Sequence, residues 1–129
     1  MRTKTFFVAC ILLCLAALPV LAQEPASALT GMWTGDWGPT PTHRNPVNVD
    51  LKWDGKMLMG TVNPGPNAVK LEKTSYDAKT GMIHMEADAT GYNGQKVHYM
   101  IDGKVSNGEM SGSWNHDNRK GDFKIMMKK

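Results

Sequence analysis

Beyond residue 30 the sequence consists of short runs in which apolar and polar residues alternate, separated by turn-forming pairs such as Asp54-Gly55, Asn93-Gly94 and Asn107-Gly108. Alternation with a period of two residues predicts half-buried β-strands, and these pairs accept the positive φ angles of tight turns. No stretch of this region shows the apolar period of an amphipathic helix. The pattern predicts eight strands, over residues 31–37, 46–53, 56–62, 68–75, 82–89, 96–102, 109–115 and 121–128.

The connections between these predicted strands are so short that sequential neighbours must pair antiparallel. An open sheet of this size would expose two edges, and closing it into a barrel removes both of them. We therefore predict an all-β fold, an eight-stranded antiparallel up-and-down barrel, with a two-sheet sandwich as the alternative. The longest connections, residues 39–45 and 63–67, are rich in proline and are predicted to lie at the barrel mouths or on the N-terminal side.

The same alternation separates an inner face from an outer face. Around Asn93-Gly94, a strict two-residue loop would mix apolar and charged residues on each face, whereas a longer loop with a glycine bulge places Tyr99 opposite Ala87. We predict the bulged hairpin, because strand register normally follows burial. The predicted inner positions are Val47, Val49, Leu51 and Trp53 in the second strand, Ile83, Met85 and Ala87 in the fifth, and Phe123, Ile125 and Met127 in the eighth.

The bulged hairpin gathers five polar residues on the outer face, with His98 opposite Asp88, His84 opposite Asp102, and Glu86 between the two pairs. Imidazoles and carboxylates are ligands that zinc accepts. Cross-strand charge pairs are also ordinary surface stabilisation, and the two histidines lie several residues apart along the ladder. We predict surface ion pairs at this position and no metal site.

Methionine offers a second metal hypothesis, because Met57 and Met59 flank Leu58 on a hairpin that follows Trp53. Thioethers beside an indole suit a soft ion such as copper(I), and small exported copper-binding barrels, which the sequence resembles in this respect, combine Met, His and Trp. Methionine is also a common filler of gaps in protein cores. We predict core packing for Met57 and Met59, and we expect no cofactor.

The N-terminal segment has the pattern of an export signal. Arg2 and Lys4 precede an almost wholly apolar run, and Ala22 is typical of the residue before signal-peptidase cleavage. Cys10 and Cys14, the two cysteines of the chain, leave with this segment, so stability must come from a packed core and not from disulfides. The predicted organisation is a helical signal peptide over residues 1–22, a flexible arm over 23–29 and one β-barrel domain over 30–129, exported to a periplasm or out of the cell.

Charge and chemistry exclude several classes of function. Removing residues 1–22 from the 129 leaves 107, with 13 basic residues against 12 acidic ones and a net charge of +1. This balance builds no field for a nucleic acid or, after signal cleavage, for a membrane surface, so we expect neither as a partner. The mature chain has no thiol nucleophile, its serines lack a glycine-framed elbow, and His116-Asp117 is explained by a polar turn. We expect no enzyme and no catalytic residues, and the oligomeric state is left open.

The stretch GMWTGDWG, residues 31–38, begins the first predicted strand. Its Gly31-Met32-Trp33 resembles the Gly-x-Trp signature of lipocalin-like and avidin-like barrels, the calycins. That resemblance implies that Trp33 plugs the closed end of the barrel beneath a basic residue from the last strand, for which Lys124 and Lys128 are available. The stretches DGKMLMGT, GSW and GDF further resemble a family of small exported bacterial β-barrels, largely of unassigned function, which implies a fold and not an activity.

Two functions from different classes remain open. In the first, Trp37, Leu51, Trp53, Tyr99 and Phe123 line an interior that binds a small apolar or amphipathic ligand; barrels of this size are either filled by side chains or hold one small ligand, and the short strands favour filling. The alternative is a module that binds a protein partner through the arm at 23–29 and the loop at 38–46, like the small periplasmic protease inhibitors whose first strand this sequence resembles. Soft-metal binding is a minor third hypothesis.

Overall fold

A computed structural model of the chain describes residues 24–91 and 93–128. A 3₁₀ helix, Ala26–Leu29, precedes eight strands: β1 (Gly31–Thr40), β2 (His43–Trp53), β3 (Leu58–Val62), β4 (Val69–Asp77), β5 (Met82–Thr90), β6 (Lys96–Ser106), β7 (Glu109–His116) and β8 (Arg119–Met127). All eight predicted strands are confirmed, with boundaries that differ by a few residues. The predicted signal peptide, residues 1–22, lies outside the described residues.

The strands form a closed antiparallel barrel in sequential order, β1 to β8. Closure comes from the pairing of the first strand with the last, in which Trp33 lies opposite Met127 and Trp37 lies opposite Phe123. The prediction of an up-and-down barrel is confirmed, and the two-sheet alternative is wrong. Closure gives every strand of the barrel two hydrogen-bonded neighbours, so the described strands present no open sheet edge.

The β1–β2 connection differs from the predicted proline-rich loop at 39–45. β1 continues to Thr40 and β2 begins at His43, so a two-residue turn joins them. The guanidinium of Arg44 on β2 donates to the carboxylate of Asp36 on β1, with N···O distances of 3.0 and 2.7 Å, and to that of Asp122 on β8 at 2.5 Å. Because β1 lies between β2 and β8, this clamp ties three strands together on the outer face.

The β5–β6 hairpin has the predicted bulged register. Tyr99 pairs with Ala87, His98 with Asp88, and His84 with Asp102. Register therefore follows burial here, since Ile83, Met85 and Ala87 all face the core while the alternate residues face outward. A further bulge lies in β4, between Leu71 and Lys73.

Glycine permits close approach of the backbones at two strand pairs. A Cβ atom built on Gly35 would lie 2.0 Å from the carbonyl oxygen of Lys124 on β8, and one built on Gly112 would lie 2.0 Å from that of Asp102 on β6. Glycine inside a strand marks a tight bend or a close approach of another backbone. These two positions accommodate the sharp curvature that a narrow closed barrel requires.

One end of the barrel is filled by side chains around Trp33, which is completely buried. The indole Nε1–H donates to the carbonyl oxygen of Leu29 at 3.0 Å, and Leu29 is itself completely buried. The segment before β1 crosses this end of the barrel, because the carbonyl of Glu24 accepts a hydrogen bond of 2.6 Å from the hydroxyl of Tyr76 on β4. We call this region, Glu24–Leu29 together with Trp33, the closed end. The prediction of a flexible arm over 23–29 did not anticipate this helix or the burial of Leu29.

Replacement of Trp33 tests the packing of the closed end. Trp33→Ala is expected to lower the free energy of unfolding by about 3–5 kcal/mol, because it removes a fully buried large aromatic side chain and leaves a void. The measurement is equilibrium unfolding in urea. Met126→Ala, which truncates an exposed side chain, is the control and should change stability by less than about 0.5 kcal/mol. Similar losses in both variants would contradict a packed closed end.

Candidate functional site

The half of the barrel away from the closed end contains a cavity of about 130 Å³. Its walls are apolar throughout and come from all the strands that border this half. The residues that line it are Trp37 on β1, Val47 and Val49 on β2, Val62 on β3, Val69 and Leu71 on β4, Met85, Ala87 and Ala89 on β5, Tyr99 and Ile101 on β6, Trp114 on β7, and Phe123 and Ile125 on β8. The expectation of a filled interior therefore holds for one half of the barrel, and the other half is hollow.

A cluster of aromatic rings lies at the end of the cavity farthest from Trp33. The rings of Trp37 and Trp114 meet edge to face with centroids 5.2 Å apart, and Tyr99 lies 6.2 Å from Trp37 and 6.1 Å from Trp114. His116, the last residue of β7, stacks on Trp114 at 5.7 Å and contacts Tyr99 at 4.6 Å. We call these four residues the aromatic rim. Trp37 and Tyr99, which line the cavity, are only partly buried.

Local interactions orient the rim. The indole Nε1–H of Trp114 donates to the carbonyl oxygen of Asp122 on β8 at 3.1 Å, which fixes the plane of its ring. His116 Nδ1 lies 3.3 Å from a carboxylate oxygen of Asp117 in the β7–β8 turn. The T-shaped contact between Trp37 and Trp114 places the positive edge of one ring against the negative face of the other, which is a favoured aromatic geometry.

The structure brings together three of the five residues predicted to bind a ligand. Trp37, Tyr99 and Phe123 line the cavity. Leu51 and Trp53 face the interior but do not line it: Leu51 is almost completely buried opposite Gly31, and the backbone N–H of Trp53 bonds to the hydroxyl of Thr30 beside the closed end. Ligand binding by any of the five stays a prediction.

Trp114 is the aromatic residue of the cavity lining that sequence reasoning missed. The signal was present, because Met110, Gly112 and Trp114 alternate along the seventh predicted strand, and Trp114 lies two and four residues from positions that face inward. The alternation identifies the face of a residue but not its depth along the barrel. Depth separates Trp114, at the rim, from Leu51, near the closed end.

Two lysines were proposed as cationic partners of Trp33, and the structure shows different contacts for each. The side chain of Lys124 is on the outer face and 61% exposed, with Nζ 3.4 Å from a carboxylate oxygen of Glu109 on β7. Lys128 is exposed beyond the end of β8, where its backbone N–H donates to the carbonyl of Met32 at 2.8 Å. The polar partner of the Trp33 indole in the structure is the carbonyl oxygen of Leu29.

A continuous chain of hydrogen bonds runs along the outer face of β5 and β6. His84 lies between Glu86 and Asp102, with Nε2 2.7 Å from Glu86 and Nδ1 2.6 Å from Asp102. His98 lies between Glu86 and Asp88, with both of its nitrogens 2.7 Å from a carboxylate oxygen. Glu86 therefore bridges the two imidazoles. We call these five residues the histidine–carboxylate chain.

The geometry of this chain fits protonated histidines. A neutral imidazole has one N–H donor, so its second nitrogen would face a carboxylate oxygen with no proton between them. The bonds with Glu86 and then Asp102 raise the pKa of His84, and those with Asp88 and then Glu86 raise the pKa of His98. The same contacts, with the His84 bond first for Glu86 and the His98 bond first for Asp88, lower the pKa values of those two carboxyls.

Neighbouring charges act on the same carboxylates. Lys73 on β4 contributes to the lowered pKa of Glu86, and Lys96 at the start of β6 contributes to that of Asp88. Within residues 24–91 and 93–128, no group of three or more His, Cys, Asp or Glu side chains is arranged to hold a metal ion. In the histidine–carboxylate chain, every imidazole nitrogen already bonds a carboxylate.

The prediction of core packing for Met57 and Met59 is wrong. Met57 lies in the β2–β3 turn with 47% of its surface exposed, and Met59 lies on the outer face of β3 with 40% exposed. The residue between them, Leu58, points inward and is buried. Since side chains alternate along a strand, an inward Leu58 places both neighbours outside.

Comparisons of this chain with models of protein families, with curated proteins and with solved structures found no match. The closed eight-stranded barrel is compatible with the lipocalin-like fold that Gly31-Met32-Trp33 implied. The part of the chain that the structure describes contains no helix with the length and apolarity to span a membrane. Inference about function therefore starts from the cavity and its rim.

The histidine–carboxylate chain predicts a specific pH dependence of stability. Raised pKa values in the folded state stabilise the protein below the ordinary histidine pKa of about 6.5, and this stabilisation is lost as the pH rises through the folded values. The lowered pKa values of Glu86 and Asp88 stabilise the folded protein at pH values above the ordinary carboxyl pKa of about 4. This stabilisation is lost as the pH falls through the folded values. The histidine–carboxylate chain therefore contributes most to the stability of the folded protein between about pH 5 and 6.5.

Thermal unfolding followed by circular dichroism between pH 4 and 9 tests this dependence. The wild type should lose more stability from pH 6 to 9 than the double variant His84→Asn with His98→Asn, in which the titrating imidazoles are absent. His43→Asn removes an exposed histidine that does not belong to the histidine–carboxylate chain, so this variant should keep the wild-type dependence of stability on pH. If stability changed with pH in the same way in the wild type and the double variant, the histidine–carboxylate chain would add no pH-dependent stability.

Proposed function

We propose that this chain is an exported binding protein that holds one small apolar or amphipathic molecule in the cavity beneath the aromatic rim. The observation that carries the proposal is the contrast between the two halves of the barrel. Trp33 and Leu29 are completely buried at the closed end, whereas the opposite half has a hollow interior with apolar walls. Concave apolar sites that are largely preformed are the usual sites for small molecules.

The physical chemistry of the cavity supports an apolar guest over water. An ordered buried water needs two to four polar partners, and walls of Val, Leu, Ile and aromatic side chains offer none. A void also deprives the lining side chains of dispersion contacts on one side, because no atoms face them there. An apolar guest restores those contacts without losing hydrogen bonds to the solvent, so its transfer into the cavity is favourable.

Binding without catalysis is the form of the proposal that the lining supports. Catalysis needs a nucleophile, an acid or base, or a polarising group within reach of the bound molecule. The apolar walls of this cavity favour retention of a molecule over its conversion. We propose Trp37, Tyr99 and Phe123 as ligand contacts, and we add Trp114 because it lines the same cavity and contacts the rings of Trp37 and Tyr99.

The alternative, a module that binds a protein through its N-terminal arm, receives less support from the contacts of that arm. Leu29 is buried beneath Trp33, and Glu24 is bonded to Tyr76, so both residues are committed to the barrel. The predicted loop at 38–46 belongs mostly to β1 and β2, and the clamp from Arg44 fixes it to β8. We therefore favour the ligand-binding proposal. Export is proposed from the sequence pattern of residues 1–22 alone.

Filling the cavity tests the proposal. Ala87→Leu adds three carbon atoms at a position that lines the cavity, so the variant should lose its bound molecule. Its thermal midpoint should stay at or above the wild-type value, because filling a void adds packing contacts. The measurement is organic extraction of protein purified from its native source without detergent, followed by gas chromatography and mass spectrometry.

Thr34→Leu, on the exposed outer face of β1, is the matched control and should keep the extracted compound at the wild-type ratio to protein. If Ala87→Leu and Thr34→Leu released the same compound in equal amounts, the molecule would lie outside the cavity. An empty extract from the wild type would count against the proposal.

A further inference from the structure

We propose that the ligand is an uncharged molecule with a single six-membered aromatic ring, bound ring first, with one small hydrogen-bonding substituent directed to His116 at the aromatic rim. This inference rests on the proposed function, since it names the class of molecule that the same cavity takes. It is carried by three separate observations: the volume of the cavity, the chemistry of its walls, and the position of one polar side chain, His116, in the aromatic rim.

The volume limits the size of the guest. The cavity measures about 130 Å³, whereas a dry engineered cavity of about 150 Å³ with similar Leu, Ile and Phe walls accepts benzene. A single ring with one or two small substituents fits this space. A saturated chain of ten or more carbons does not fit, and at the outer end of the cavity the aromatic rim occupies the space that such a chain would need.

The walls select an uncharged aromatic guest. The rings of Trp37, Tyr99, Trp114 and Phe123 all border the cavity, so a guest ring can take the edge-to-face geometry that neighbouring aromatics favour. A carboxylate or an ammonium would lose its hydration without gaining a partner, because the walls are apolar. Lys124, the nearest lysine on β8 to Phe123 and Ile125, points to the outer face and pairs with Glu109.

The aromatic rim contains one histidine, His116, which does not line the cavity itself but contacts two rings that do. His116 lies two residues beyond Trp114 on the same face of β7, and its imidazole contacts the ring of Tyr99 at 4.6 Å. Its Nδ1 faces Asp117, which leaves Nε2 as the nitrogen that can bond a ligand substituent; among the described residues no partner of Nε2 is present. A hydroxyl on the guest ring can donate to or accept from this nitrogen, depending on the tautomer.

The first test compares three probes on the full chain: toluene, p-cresol and 1-decanol. Binding is followed by the methyl resonances of Val47, Val62, Leu71 and Ile101 in a ¹H–¹³C spectrum, because all four residues line the cavity. We expect toluene and p-cresol to shift these resonances and to lose this effect in Ala87→Leu, and we expect 1-decanol to leave them unchanged. Thr34→Leu should behave as the wild type.

The outcomes separate this inference from the proposed function. If 1-decanol shifted the cavity resonances and the ring compounds did not, the inference of an aromatic ligand would be wrong, while the proposal that the cavity binds a small apolar molecule would stand. If none of the three probes shifted them, the binding proposal itself would be overturned. Shifts confined to residues outside the cavity would also overturn both.

The second test concerns His116. Toluene and p-cresol differ by one hydroxyl, so the ratio of their dissociation constants reports its contact with the protein. His116→Ala should weaken the binding of p-cresol by about 3- to 10-fold relative to that of toluene, as expected for the loss of one hydrogen bond. His43→Ala, which removes an exposed histidine that bonds to Thr40 and contacts none of the rim rings, should leave the ratio unchanged. A ratio unchanged in His116→Ala would overturn the placement of the substituent at the rim.

Discussion

The pairing of β1 with β8 is the contact on which the rest of this structure depends. It joins the two ends of the described barrel, and it encloses an interior that a flat sheet of the same strands would leave open to water. Gly35 permits this pairing, since any side chain there would collide with the backbone of β8. Trp33 and Trp37 on the same strand then face the enclosed space at two depths, one at the closed end and one at the rim.

The two depths have different physical character because different side chains meet there. Around Trp33 the neighbours include Leu29 from outside the barrel wall, whose insertion completes the packing. The other half has no such inserted segment among the described residues, and its walls include small residues such as Ala87, Ala89 and Val62. A single narrow barrel thus combines a packed core, which supplies stability, with an empty volume, which provides a candidate site.

Much of the fold could be predicted from the sequence, since hairpins are local and their turns are marked by residues such as Gly94 and Gly108, both with positive φ. The clamp from Arg44 to Asp122 joins residues 78 positions apart, and no local pattern reveals it, so prolines at 39–45 were interpreted as a loop. Met57 and Met59 were assigned by residue type, although the inward Leu58 between them already implied the opposite face. The candidate site was predicted in part, because alternation gives the face of a residue and closure alone decides its depth.

The bridging position of Glu86 has a consequence for how the histidine–carboxylate chain responds to protons. One carboxylate is the shared acceptor of His84 and His98, so the loss of a proton from either ring changes the charge that the other ring experiences through Glu86. The two imidazoles are therefore linked through one carboxylate, and proton loss from one ring alters the environment in which the other ring holds its proton. Interacting sites of this kind are described by their joint protonation states and not ring by ring.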